Sequence, residues 1–361
     1  MTQDIALPTI SPRKSLGLIA LGMSAYMAYL YYVGFEETIS ALARVNLAIF
    51  STTFILALVS MLLYARSWKT ITDQLDYDVS ITDIFHMYMS SIFLNNLIPS
   101  GSFSGETGRI YFLSKIAGNS RFDMSAATVA ATRIITAIPF IAGMALGLAY
   151  LALRYEVPIW ALAVCLASML VLLLVGLIFV GICFADTWLW GITKLTIKYV
   201  EKIFHREVDQ ELCMDIVSKF HRNMNLLSGQ NRALIVSTFW GVAGWLTINL
   251  VALVAFKSLD VEISIFTIFA VYAVVIVFQA LPIILPGGVG LADIIMTALF
   301  NAVGVPMHDA AAVTILIRLV ELWFLTFVGG LSTAHLMRRV NNNNNNNDNN
   351  GRAKKVTTKS F

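Results

Sequence analysis

Six apolar runs, at 15–35, 45–65, 124–153, 158–184, 232–256 and 308–337, set the terms on which this chain can fold. Each is long enough to cross a bilayer core about 30 Å thick as one helix rising about 1.5 Å per residue. In lipid every backbone N–H and C=O must be satisfied internally, so runs of this length select helices. The chain is 58% hydrophobic and 13% charged, against about 25% charged in ordinary soluble domains. An all-α, polytopic membrane protein is expected. Arg13 and Lys14 precede the first run. That run is too long for the core of a cleavable signal, and no small-residue cleavage site follows it, so it reads as a first span.

Several function classes drop out on composition and spacing. Cys165, Cys183 and Cys213 have neither metal nor redox spacing and read as small core residues. His86, His205, His221, His308 and His335 are scattered, with no HExxH motif and no nucleotide-binding loop, so neither metal hydrolysis nor a bound cofactor is expected. The net charge of +3 is spread along loops, which does not describe a nucleic-acid surface.

Two further apolar stretches, 81–112 and 263–303, are interrupted in the middle by proline and glycine. The second contains LPIILPGGVGLADIIMTALF (281–300), the first IPSGSFSGETGRIYFLSK (98–115). Segment 100–109 is too polar to face lipid across a full thickness, so both stretches read as re-entrant hairpins. The loops then alternate between faces. One face carries 19 Lys and Arg, the other Arg44, Arg154 and Lys257; Arg109, Arg133 and Arg318 fall at membrane depth. By the positive-inside rule both termini are cytoplasmic, and the protein is expected in the cell membrane.

The interruptions echo one another. Glu106 follows Pro99 by seven residues and Asp293 follows Pro286 by seven; Arg133 lies 34 residues after Pro99 and Arg318 lies 32 after Pro286. The topology places the two hairpins on opposite faces. A tail (1–14), a first repeat (15–153, hairpin 81–118), an inverted second repeat (158–338, hairpin 263–304) and a disordered basic tail (339–361) make up the expected organisation. Such repeats meeting in broken helices are a common transporter construction. Within 185–231, Leu212, Ile216, Phe220, Met224 and Leu227 recur at helical spacing and predict an amphipathic cytoplasmic helix, on the membrane surface or docking a partner.

Gly287, Gly288 and Gly290 open the backbone just before a half-helix beginning near Leu291, whose unpaired N–H groups form a positive pole suited to phosphate. Ser100, Ser102 and Ser104 with Gly101 and Gly105 form the matching mouth of the first hairpin. Tight helix packing through small residues is the alternative. Glu106, Arg109, Arg133, Asp293, Arg318 and Glu321 would each cost about 2.5–3.5 kcal/mol facing lipid, so they must face the interior, each other or water. They form either a structural ion-pair network or a site. In the site reading Arg133 and Arg318 hold a lipid phosphate, while Glu106 or Asp293 exchanges a proton or meets a cationic headgroup. Arg318 and Glu321, three apart on one helical face, are placed to pair.

LPGGVGLAD followed by RLVELWF, with SGSFSGETGR in the first half, resembles the membrane domain of lysylphosphatidylglycerol synthetases and their stand-alone flippase-like relatives. The resemblance spans about 15–337. It implies movement of phospholipids between leaflets, aminoacylated ones in the best-known branch. By motif it points to Ser104, Gly105, Glu106 and Arg109, and to Pro286, Gly287, Gly288, Gly290, Asp293, Arg318 and Glu321. The family pattern has Glu where this chain has Asp293, which leaves that residue's partner open. The soluble aminoacyl-transferase domain has no counterpart here, so no synthetase activity and no enzyme are expected. The leading expectation is a flippase for an anionic or aminoacyl-modified phospholipid. A carrier of a polyprenyl-phosphate-linked glycan is the close variant. A non-catalytic membrane partner recruiting a lipid synthetase or glycosyltransferase is the alternative from another class.

Overall fold

The computed structural model describes residues 12–75, 77–98, 100, 103–117, 121–154, 157–185, 190–191, 193–195, 198, 201, 209–280 and 285–357. Side chains are described within these ranges except at 12–16, 154, 212, 280 and 343–357. The described residues are helical with no strand. In chain order the helices are α1 (Pro12–Val33), α2 (Phe35–Ala43), α3 (Leu47–Thr72), α4 (Ile81–Leu97), α5 (Phe103–Ile116), α6 (Phe122–Arg154) and α7 (Ile159–Phe184). There follow α8 (Gln210–Ser228), α9 (Asn231–Ser258), α10 (Ile265–Ala280), α11 (Leu291–Ala302), α12 (Met307–Arg318) and α13 (Leu325–Thr357). A π-helical turn, Leu319–Phe324, joins the last two.

Among the described residues, five helical segments are long and apolar enough to cross a membrane, and six if α1 and α2 count as one broken span. The chain is a multi-pass membrane protein. The first apolar run becomes α1, and at its end the chain turns by 93° into α2 at Gly34, whose φ of 114° lies where side chains are disfavoured. The other five runs each become one span.

The two interrupted stretches become short helix pairs, α4–α5 and α10–α11. Their members have 17, 14, 16 and 12 residues, so at about 1.5 Å per residue each falls short of a bilayer core. Ser80 starts α4 by accepting from the Asp83 N–H at 3.1 Å, an N-cap that supplies one missing partner. Pro99, Gly101 and Ser102, at the first break, lie outside the described residues.

Packing crosses between the two halves. α3 lies along α9, α13 packs on α4 and α6 packs on α10. The α3–α9 seam is close and polar: Ser60 donates to the Gly244 carbonyl at 2.8 Å and Ser67 to the Ser237 carbonyl at 2.8 Å. Small residues let backbones approach in this way. A Cβ on Gly329 would stand 2.5 Å from the Met89 carbonyl oxygen, and one on Gly147 2.5 Å from that of Phe266, so α13–α4 and α6–α10 each need glycine at the crossing.

The amphipathic helix exists as α8, and its apolar face is turned to the protein. Met224 and Leu227 are buried, Phe220 packs on the same core cluster, and Asn223 donates to Asp123 of α6 at 2.9 Å. α13 continues helically through the asparagine run to Thr357. Extending a formed helix fixes one residue per added hydrogen bond, far easier than nucleation, and asparagine's propensity costs well under about 1 kcal/mol per residue.

Candidate functional site

The second helix break packs against the end of α4, just before the first break. The last turn of α4, which carries Asn95 and Asn96, leads into the first, and a Cβ on Gly287 of the second would stand 3.5 Å from the Asn96 carbonyl oxygen. Around them the structure gathers the membrane-depth charges into two centres.

The second centre is a closed latch. Gly287, Gly288 and Gly290 have φ of 60°, 66° and 86°, a chain path that side chains strain to follow. Gly287 and Gly288 lie in the 3-10 turn that begins at Pro286. This path turns the Gly287 carbonyl to Arg318 Nη2 at 2.7 Å and brings Asp293 Oδ1 to Arg318 Nε at 2.8 Å. The other Asp293 oxygen accepts the Gly290 N–H at 2.7 Å. Asp293 thus caps its own helix and neutralises Arg318, both charges being almost wholly buried. Charge-assisted pairs of this length are strong, and a buried pair broken on one side is costly.

Two expectations are corrected here. The α11 N-terminus is not an open positive pole, because Asp293 occupies its Gly290 N–H and α1 covers the turn: a Cβ on Gly22 would stand 2.4 Å from the Val289 carbonyl oxygen. Arg318 and Glu321 also do not pair; Arg318 takes Asp293, while Glu321 accepts from the Tyr272 hydroxyl at 2.7 Å. The π turn starting at Leu319 widens the helix between them, so three-residue spacing no longer means a shared face.

The first centre is looser. Glu106 Oε2 stands 3.3 Å from Arg109 Nη1, and Oε1 stands 3.6 Å from Arg133 Nη1. Arg109 is buried beneath aromatic rings, its Cζ 4.1 Å from the Trp68 ring centre and 5.0 Å from that of Tyr88, within cation–π range. The Arg133 side chain is 50% exposed, although it sits well inside α6. The start of α5, like that of α11, has its own acceptors: Ser100 Oγ takes the Ser104 N–H at 2.9 Å and Asn95 Oδ1 the Gly105 N–H at 2.6 Å. The Ser104 hydroxyl donates to the Leu94 carbonyl at 3.1 Å.

Stacked Tyr64 and Tyr88, with ring centres 5.8 Å apart, join the centres. Tyr88 lies against Arg109, while Tyr64 lines a cavity of about 160 Å³ together with Tyr272, Gln279, Arg318 and Glu321. That volume holds several waters and falls short of a whole phospholipid.

All twelve residues singled out by the sequence therefore lie at or beside the two centres. Sequence reasoning missed Tyr64, Trp68, Tyr88, Asn95, Tyr272 and Gln279. Buried aromatics inside apolar runs carry no signal of their own. The Asn95–Asn96 pair did carry one, as adjacent amides in an apolar helix. Among the described residues, no three His, Cys, Asp or Glu side chains gather to hold a metal.

The geometry can be set beside known proteins. The family model described as the lysylphosphatidylglycerol synthase TM region matches residues 16–329. A UPF0104 membrane protein of Pyrococcus horikoshii is 27% identical over 322 residues, covering 88% of this chain and 96% of its own. One from Methanocaldococcus jannaschii is 28% identical over 336 residues, covering 91% and 96%. One from Methanothermobacter thermautotrophicus is 24% identical over 323 residues, covering 88% and 94%. No solved structure matches. With both breaks and both charged centres falling inside the matched region, this chain belongs to the lysylphosphatidylglycerol synthase transmembrane-region family.

Proposed function

We propose that this protein moves an anionic or aminoacyl-modified phospholipid between leaflets, acting as a transporter and not as an enzyme. One observation carries the reading. Two charged centres, one beside each helix break, are joined by a Tyr64–Tyr88 stack beside a cavity in an otherwise apolar bundle. Intramembrane charge is expensive and usually marks a substrate or ion path. The crosswise packing of α13 on α4 and α6 on α10, with two short helix pairs, supports re-entrant hairpins in an inverted repeat.

In this reading the phosphate meets Arg133, the half-exposed cation, and not the capped helix tips. Asp293, Arg318 and the three glycines hold the second break in shape, and Glu321 lines the cavity. A docking platform for a synthetase or glycosyltransferase fits less well, since the apolar face of α8 is already buried on α6.

The test is reconstitution of the full chain in phosphatidylcholine vesicles containing fluorescent phosphatidylglycerol, with leaflet exchange followed by quenching from outside. Wild type should exchange the lipid, and Arg133→Gln should slow exchange by roughly tenfold, the value of one hydrogen bond to a charged group. Absence of exchange in wild type rejects transport of this lipid class; equal exchange in both rejects the role of Arg133.

A further inference from the structure

The Arg109 side chain is 5% exposed, and only its Nη1 approaches an acceptor. Its Nε and Nη2 are fully buried with no hydrogen-bond partner. These two N–H groups share one edge of the guanidinium, the edge that grips two oxygens of a phosphate or carboxylate side by side. A buried donor left unmade costs about 1–3 kcal/mol. An arginine serving only as a strut would direct that edge at a carbonyl, as Arg318 directs Nη2 at Gly287.

The surroundings fix the edge and leave it unbalanced in charge. Trp68 and Tyr88 cover the guanidinium, which holds its orientation. Arg109 and Arg133 share the single carboxylate of Glu106, so the centre carries a formal excess of one positive charge at membrane depth. Both contacts to Glu106, at 3.3 and 3.6 Å, exceed the roughly 2.7–2.9 Å of a firm charge-assisted bond. The carboxylate is loosely held between its two partners.

We propose that the Nε/Nη2 edge of Arg109 binds a phosphate oxyanion, that of a phospholipid headgroup. The phosphate enters at half-exposed Arg133 and passes Glu106 to reach Arg109. The assignment rests on the lipid-transport reading and adds to it the residue that grips the phosphate at its deepest point. The same chemistry would accept free phosphate, so the test separates the two sources.

Purified full-length protein in detergent is titrated calorimetrically with short-chain phosphatidic acid and, separately, with inorganic phosphate, for wild type, Arg109→Lys and Arg109→Gln. Lysine keeps the charge and loses the paired edge. Wild type should bind the lipid phosphate, and Arg109→Lys should weaken binding roughly 10- to 100-fold, as expected for hydrogen bonds to a charged group, with an unchanged elution profile. Arg109→Lys binding as tightly as wild type overturns the proposal. Inorganic phosphate binding as tightly as the lipid, with the same dependence on Arg109, overturns the lipid assignment. Should neither variant fold, wild type labelled with 15N-arginine decides: a buried Nε–H resonance that shifts with phosphatidic acid supports the site, and none shifting sinks it. Binding without leaflet exchange in vesicles would overturn the transport reading and leave the anion site standing.

Discussion

Arg318 directs Nε to Asp293 and Nη2 to the Gly287 carbonyl, so its charge is largely committed to holding the second break. Arg318→Ala strands Asp293 in a buried site, and the expected loss is about 3–5 kcal/mol of stability. Asp293→Asn combined with Arg318→Met should cost less than the sum of the single changes, because it removes both charges together. Unfolding of wild type, Asp293→Asn, Arg318→Met and the double variant in detergent gives the coupling energy directly; simple additivity would deny the latch. Gly290 makes a sharper case. Its φ of 86° and the 2.4 Å that would separate an added Cβ from the Gly22 carbonyl oxygen act together. Gly290→Ala should lower stability by more than about 1 kcal/mol, read as a fall in Tm, whereas Gly176→Ala, whose Cβ meets nothing within 4 Å, should not.

Among the elements, α8 is held to α6 by Met224, Leu227 and the Asn223–Asp123 bond. Leu227→Asp puts a charge into that seam and should release the helix. Cleavage by trypsin at Lys219 and Arg222 is then expected to quicken several-fold while the spans stay intact, and an unchanged digestion pattern would argue against docking. The amphipathic spacing of this segment was legible in the sequence, but its partner was not. The apolar stripe states only that something covers it, and α6 lies about 100 residues away. The same division holds elsewhere. The spans could be read because length and hydropathy are local properties, and the breaks because proline and glycine are local too. Which carboxylate meets which arginine depends on packing between elements. The Arg318–Glu321 pairing failed because one π turn changed the angular step between them, and the bend at Gly34 falls at the end of the first run, where length and hydropathy say nothing of direction.

At the scale of the whole molecule, the lysine and arginine distribution predicts α8 on the cytoplasmic side and the α9–α10 loop on the other. In a chain whose three natural cysteines are replaced by serine, Glu262→Cys should react with an impermeant maleimide on intact cells. Asp215→Cys on α8 should react only after the membrane is opened. The reverse pattern would invert the topology and with it the direction of every step proposed here. The cavity beside the stacked tyrosines is about 160 Å³ in volume. If a lipid is the cargo, only its polar end fits inside, and the hydrocarbon tails must trail through the surrounding bilayer along the flank of the bundle. Cargo that differs solely in tail length should therefore cross at the same speed, while bulkier heads should stall.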